Sequence, residues 1–175
     1  FALKDINLEI RTGEKIGIVG ANGSGKTTLL KILARVTKPT SGNLNIYGKV
    51  ASVIALEAGL HPDLTGRENI ALCGMLLRLS KKQIETKKEA IIRYAGVGKY
   101  IDMPLYTYSL GMKLRLGFSV ALLSDPDILL LDENIAVGDA TFKEKLQNET
   151  KLLFNNNKTI VFASHNLYAI VDYCD

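Results

Sequence analysis

Lys26 and Thr27 close the run Gly20-Ala21-Asn22-Gly23-Ser24-Gly25-Lys26-Thr27, and residues of these types at this spacing can hold a polyphosphate. The run fits G-x-x-x-x-G-K-[ST], the phosphate-binding loop. Gly20, Gly23 and Gly25 let the backbone wrap closely round an anion. N–H groups of the loop, among them Asn22 and Ser24, and of the helix start at Thr28 are then free to point at its oxygens. Lys26 adds a point charge for the β- and γ-phosphates, and the Thr27 hydroxyl suits Mg²⁺. A second constellation is Asp127-Ile128-Leu129-Leu130-Leu131-Asp132-Glu133, an apolar strand ending in two carboxylates. A third is Thr159 to Ala163, an apolar strand followed by Ser164-His165. Parallel sheets present ligands at the carboxyl ends of their strands, so all three should converge. Asp132 would hold Mg²⁺ through water. Glu133 would orient or deprotonate the attacking water, and His165 would reach the γ-phosphate and keep that water and Glu133 in register. An isolated Asp-Glu pair or a lone His would be read as structural; downstream of a phosphate loop the catalytic reading takes precedence.

The elements that must position these groups follow from periodicity. Lys15 to Val19 reads as a buried strand before the loop, and Thr28 to Val36 as a helix after it, with Leu29, Leu30, Ile32, Leu33 and Val36 at helical spacing. Leu3 to Ile10 alternates as a half-exposed strand, and Asn43–Tyr47 and Val50–Leu56 read as two more around the Gly48-Lys49 turn. These early strands are expected to form a small antiparallel layer. From His61 the pattern turns helical. Thr65-Gly66-Arg67-Glu68 is a capping box before an apolar helix over Ile70–Leu79. Ser80-Lys81-Lys82-Gln83 is a second, opening a helix that runs to about Ala95 and ends at Gly96. Ser109 is a plausible N-cap for the apolar helix Leu110–Leu123. Thr141-Phe142-Lys143-Glu144 opens a further helix to about Phe154. The expectation is one domain over residues 1–175, with core segments 1–60 and 125–175 and an inserted helical lobe at 61–124.

The totals exclude several classes. At 175 residues the chain is long enough to bury a real core. A formal charge of +4 suits a nucleotide site or an anionic membrane and selects neither. Aromatics are few and not interleaved with Lys/Arg clusters, so no nucleic-acid partner is expected. Cys73 and Cys174 lack metal or redox spacing and read as inert buried thiols in a reducing compartment. No apolar run reaches the roughly 18 residues of a membrane span, and no signal peptide is expected. The chain opens on Phe1 and stops at Asp175 without a closing element, so truncation at both ends is expected.

The order of motifs carries a resemblance. A phosphate loop, a helical lobe, a helix opened by Ser109-Leu110-Gly111, a strand ending in Asp132-Glu133 and a strand ending at His165 together resemble the ATP-binding cassette (ABC) ATPase family, over essentially the whole chain. The resemblance implies an α/β fold: a P-loop NTPase (RecA-like) core with an antiparallel β layer and an inserted helical subdomain. It implies ATP and Mg²⁺ as ligands and a head-to-tail homodimer. In that dimer Ser109 and Gly111, the family's signature, bind the γ-phosphate of the other subunit's ATP, and Asp139 falls on the D-loop at the seam. Tyr108-Ser109-Leu110-Gly111-Met112, followed by Lys113 to Phe118, is similar to the ATPases that export O-antigen, capsule and teichoic acid. Asp132 to Asp139 and Ala58 to Ile70 are similar to the same branch. This implies integral membrane permease partners, a glycolipid handled by the permease, and a peripheral place on the cytoplasmic face of the membrane. Two motifs depart from the usual pattern: Tyr108, Leu110 and Met112 replace three of five signature residues, and no Gln lies between Val50 and Thr65 where the family has its Q-loop. Glu57 is the nearest polar residue, either as a carboxylate for Mg²⁺-bound water or as a plain loop residue. Phe1 is a candidate for the aromatic that stacks on adenine. The rivals are an ABC ATPase of another transport class, a soluble ABC protein not coupled to transport, and another P-loop enzyme such as a GTPase. Against the last, Asn157-Lys158-Thr159 lacks the Asp of a guanine-reading NKxD.

Overall fold

The computed structural model describes residues 2–52, 54, 59–132, 158–165, 167 and 170. Among these residues four strands form one parallel sheet: β1 (Lys15–Val19), β2 (Val50–Ser52), β3 (Ile128–Asp132) and β4 (Thr159–Ser164). Their order across the sheet is β1-β4-β3-β2. The last strand in sequence therefore sits between the first and the third. Registers are continuous, with Lys15 opposite Ile160, Ile128 opposite Thr159 and Val50 opposite Ile128.

The run Ile128-Leu129-Leu130-Leu131 is apolar without alternation because both sheet faces are covered. On one face Leu130, Val161 and Ala163 pack with Leu30 of helix α1 (Lys26–Leu33). On the other, Leu129, Leu131, Ile160 and Ala51 pack with Leu116, Phe118, Val120 and Ala121 of helix α4 (Leu110–Leu123). Helices α2 (Gly66–Leu76) and α3 (Lys81–Ala95) join that second core through Ile70, Cys73, Ile84, Ile91 and Ile92. Among the described residues no helix is long and apolar enough to cross a membrane.

Helix starts form where the local chemistry requires. Thr65 accepts from Glu68 N at 3.2 Å, and Glu68 Oε2 accepts from Thr65 N at 2.8 Å. Ser80 and Gln83 make the same reciprocal pair. Gly96 ends α3 with φ 66°, a left-handed C-cap that glycine adopts without cost to a Cβ. Cys73 is buried, and burial pushes its thiol up to about 12, so it stays protonated and unreactive near neutrality.

Three expectations are corrected. The antiparallel β layer does not form among the described residues: neither Leu3–Ile10 nor Asn43–Tyr47 has a strand ladder, and Val50–Ser52 joins the core sheet in parallel with β3. Alternation alone did not supply a partner strand; Ile6 and Leu8 stay half exposed, and Ile10 reaches the core as a loop residue. Second, β1 is half-buried rather than buried, with Val19 44% exposed, because it lies at the sheet edge with β4 as its neighbour. Third, α1 starts two residues earlier than expected, at Lys26, and ends at Leu33, where Arg35 turns left-handed at φ 59°.

Asn69 holds the approach to α2. It is fully buried, accepts from His61 N at 2.7 Å, and its Nδ2 lies 2.9–3.0 Å from the carbonyls of His61, Leu64 and Thr65. Asn69→Ala leaves these groups short of partners and is expected to cost about 1–3 kcal/mol. The measurement is thermal unfolding, where each kcal/mol lowers Tm by roughly 2–4 °C in a chain of this size. An unchanged Tm would show that water replaces the side chain without loss.

Candidate functional site

The glycine run from Gly20 to Thr27 joins the carboxyl end of β1 to the start of α1. Gly23 and Gly25 have φ of 82° and 95°, values that L side chains rarely adopt. Around Gly23 nothing lies within 4 Å of where a Cβ would stand, so the tip of the loop is open to a ligand. Asn22, Gly23 and Ser24 are exposed, and Thr28 is half-buried. Helix α1 is capped by Gly25, which offers no side-chain acceptor, and it has no acidic residue in its first turn. Helices α2, α3 and α4 instead start on Thr65, Ser80 and Ser109, each accepting a backbone N–H. The first N–H groups of α1 thus face the loop with the positive end of the helix dipole behind them, an arrangement suited to an anion.

Lys26 Nζ donates to Gly20 O at 2.7 Å and to Ala21 O at 3.0 Å, so the ammonium stands over the mouth of the loop. Thr27 Oγ1 donates to Asp132 Oδ2 at 3.2 Å, joining residues that are 105 positions apart in sequence. The Asp132 side chain is enclosed at 5% exposure, while Thr27 is exposed. The sheet explains the meeting. Val19 is level with Ser164, and Asp132 with Ala163, so the ends of β1, β4 and β3 lie side by side across about 10 Å. His165 follows the middle strand and is exposed at this same edge. The structure therefore brings the phosphate loop, Asp132 and His165 to one side of the sheet. A hydroxyl and a carboxylate are hard oxygen donors of the kind that Mg²⁺ takes, with water or phosphate completing its shell. Thr27 and Asp132 fit that ion.

Ser109 and Gly111 are elsewhere. Ser109 is exposed at the start of α4, where its Oγ accepts from Met112 N at 3.2 Å. No hydrogen bond joins it to the phosphate loop among the described residues. Tyr108, just before it, is a buried anchor: it is 4% exposed, and its Oη donates to Tyr100 O at 2.6 Å. Burial and nearby Asp102 raise its phenol above the ordinary range, so it remains a donor. Leu110 stays 56% exposed beside Ser109. Phe1, Glu57, Glu133 and Asp139 lie outside the described residues. Sequence reasoning missed Asn69, whose signal was a polar residue beside Ile70 in the buried stripe of α2.

Comparison with known proteins decides the family. The profile described as ABC transporter matches residues 3–136. The chain belongs to the ABC transporter family. Within the family, it is 44% identical over 99% of its length to the O-antigen export system ATP-binding protein RfbB of Myxococcus xanthus, covering 40% of that protein. It is 46% identical over its whole length to the teichoic acids export ATP-binding protein TagH of Shouchella clausii, covering 48% of it. The RfbB of Klebsiella pneumoniae is 42% identical, with 71% of its length covered. The chain thus spans under half the length of the first two relatives. Among solved structures, the ABC transporter cassette MJ0796 in dimeric form superposes with a TM-score of 0.80 at 27% identity, over 99% of this chain and 83% of that one. The same cassette in a dimeric post-hydrolysis state with ADP and Pi gives 0.78 at 28% identity, over 95% and 81%. The P-loop NTPase fold of an ABC cassette is thereby established for this member.

Proposed function

We propose that this chain is the ATP-binding and hydrolysing subunit of an ABC transporter that exports a lipid-linked polysaccharide, an O-antigen, capsule or teichoic acid, across the cytoplasmic membrane. The meeting of Thr27 and Asp132 at 3.2 Å across β4 carries the nucleotide part of this reading. Whole-chain likeness to O-antigen and teichoic-acid export proteins supports the transport part.

Loop N–H groups from Gly20 to Thr28 and the Lys26 ammonium would grip the β- and γ-phosphates of ATP. Thr27 and Asp132 would hold Mg²⁺, which when bound neutralises charge developing on the phosphate oxygens. Glu133 would accept the proton of the attacking water, help worth about 10²- to 10⁴-fold. His165 would hold the γ-phosphate and keep Glu133 and the water aligned. Ser109 and Gly111 would reach the γ-phosphate bound by the partner subunit, with Asp139 at the seam, so that ATP closes a homodimer over two shared sites. Glu57 would take the Q-loop position and Phe1 the adenine face. Residues 61–124 would act as the helical lobe between core segments 1–60 and 125–175. Permease subunits would carry the glycolipid, with this chain peripheral on the cytoplasmic face.

The test is depletion of the protein in its host. Membrane co-fractionation, ATP turnover without GTP preference, and loss of surface glycan are expected together. A soluble nucleic-acid complex with intact surface glycan would overturn the transport assignment.

A further inference from the structure

Two loops of the helical segment are stitched together. Residues 62–67 run antiparallel to residues 101–106. Tyr106 N donates to Pro62 O at 2.9 Å, Leu105 N to Leu64 O at 2.9 Å, Gly66 N to Met103 O at 3.3 Å and Arg67 N to Ile101 O at 3.0 Å. Thr65 and Pro104 form a bridge at the centre. On the outside Arg67 Nε reaches Asp102 Oδ1 at 2.8 Å. The start of α2 is thus tied to the segment that delivers Ser109.

Gly66 is the point of closest approach. A Cβ there would overlap Tyr108 Oη and stand 3.1 Å from both Tyr108 Cζ and Ile101 Cδ1, the latter the tip of a flexible side chain. Gly66 does not share the left-handed φ of Gly23 or Gly25, so its missing side chain is a matter of room. Tyr108 cannot swing away cheaply. Its ring is buried, its hydroxyl is bonded to Tyr100 O at 2.6 Å, and its ring meets that of Tyr100 edge-on at 6.5 Å. Retreat of α2 is blocked by the Thr65/Glu68 capping box and by Asn69. The soft side is the exposed run at Tyr106, Thr107, Ser109 and Leu110. Strain introduced at Gly66 therefore passes through Tyr108 to its neighbour Ser109.

We propose that Gly66 and Tyr108 are a size-matched pair that sets where Ser109 stands, making both of them positioning residues for closure of the ATP-bound dimer. This rests on the reading of Ser109 as the group that meets the partner's γ-phosphate. The pair should govern closure and leave the grip of the phosphate loop on nucleotide alone. It also accounts for a tyrosine before the serine, since the space above Gly66 is filled by a phenol.

The experiment uses the intact protein with Glu133→Gln, so that ATP persists. It measures two quantities: affinity for a fluorescent ATP analogue in the monomer, and ATP-driven dimerisation by light scattering after size exclusion. Gly66→Ala is expected to weaken dimerisation about 10- to 150-fold, the worth of the hydrogen bond from Ser109 to a charged phosphate, with analogue affinity unchanged. Adding Tyr108→Leu, which removes the ring that the new methyl meets, should restore most of the loss. Tyr108→Phe keeps the ring and drops the bond to Tyr100 O; it should weaken dimerisation less, again at constant affinity, and covers the case in which Gly66→Ala does not fold. Parent-like dimerisation in both single variants, or a Gly66→Ala defect that Tyr108→Leu does not relieve, overturns the pairing. Ser109→Ala separates the two layers. If it dimerises normally, the reading of Ser109 fails, and the proposal with it; if it is defective while Gly66→Ala is normal, only the pairing falls.

Discussion

Lys26→Ala should lose nucleotide by about 10- to 150-fold, the worth of a hydrogen-bonded charge at 1.5–3 kcal/mol. The ammonium stands over the loop through Gly20 O and Ala21 O, directly before the α1 N–H groups. Among the described residues no side chain caps those N–H groups, since the N-cap is Gly25. An incoming phosphate would therefore meet backbone N–H groups and one full positive charge. Removing the charge leaves the neutral donors, which are weaker partners for a polyanion. Lys26 is half-buried at the surface, and its two carbonyl partners have access to water, so stability should change by no more than about 0.5 kcal/mol. Equilibrium binding of ATP beside a thermal melt checks both halves. Undiminished affinity in a folded variant would remove the basis of the site.

Glu133→Gln should slow turnover by about 10²- to 10⁴-fold while ATP still binds and still drives dimerisation. Glutamine keeps the volume and loses the ability to take a proton. Its neighbour Asp132 is held by Thr27, so the ion-holding pair is untouched by the exchange. On the proposed reading, binding and chemistry would be divided between two residues adjacent in sequence. Phosphate release, dimerisation and ATP retention measured on the same preparation distinguish the roles. Near-normal turnover, or a monomer in saturating ATP, would argue against Glu133 as the base.

What was legible in the chain was local. Thr65 with Glu68, Ser80 with Gln83, Gly96 and Ser109 act within one helical turn, and the structure uses each as its sequence suggests. Helix α4 runs from Leu110 to Leu123, as its apolar stretch predicts. The phosphate loop and the strand ending at Asp132 were equally clear, because an unbroken apolar run before a charge marks a buried parallel strand. Pairing was not legible. Val50–Ser52 has the same alternation whether its partner is antiparallel or, as found, the parallel strand β3. Leu3–Ile10 shows that period two is not sufficient for a strand, since a ladder also needs a neighbour. Asn69 and Gly66 gave weaker signals still. Asn69 owes its role to the backbone of the segment just before α2, Gly66 to a phenol from a distant loop, and nothing in the spacing of α2 names His61 or Tyr108 as the partner.

The seat of β4 between β1 and β3 has a consequence for how the molecule is made. Among the described residues β1 pairs with β4 alone in the sheet, Lys15 opposite Ile160. A nascent chain leaving the ribosome therefore carries β1 without β4 while the residues between them are translated, roughly 7 to 30 s at ordinary elongation rates. Through that interval the hinge of the phosphate loop has no fixed frame and the apolar side of α1 has only part of its cover. Such long-range closure is slow and leaves the growing polypeptide open to clumping or chaperone capture, so synthesis rate, as well as final stability, should govern yield.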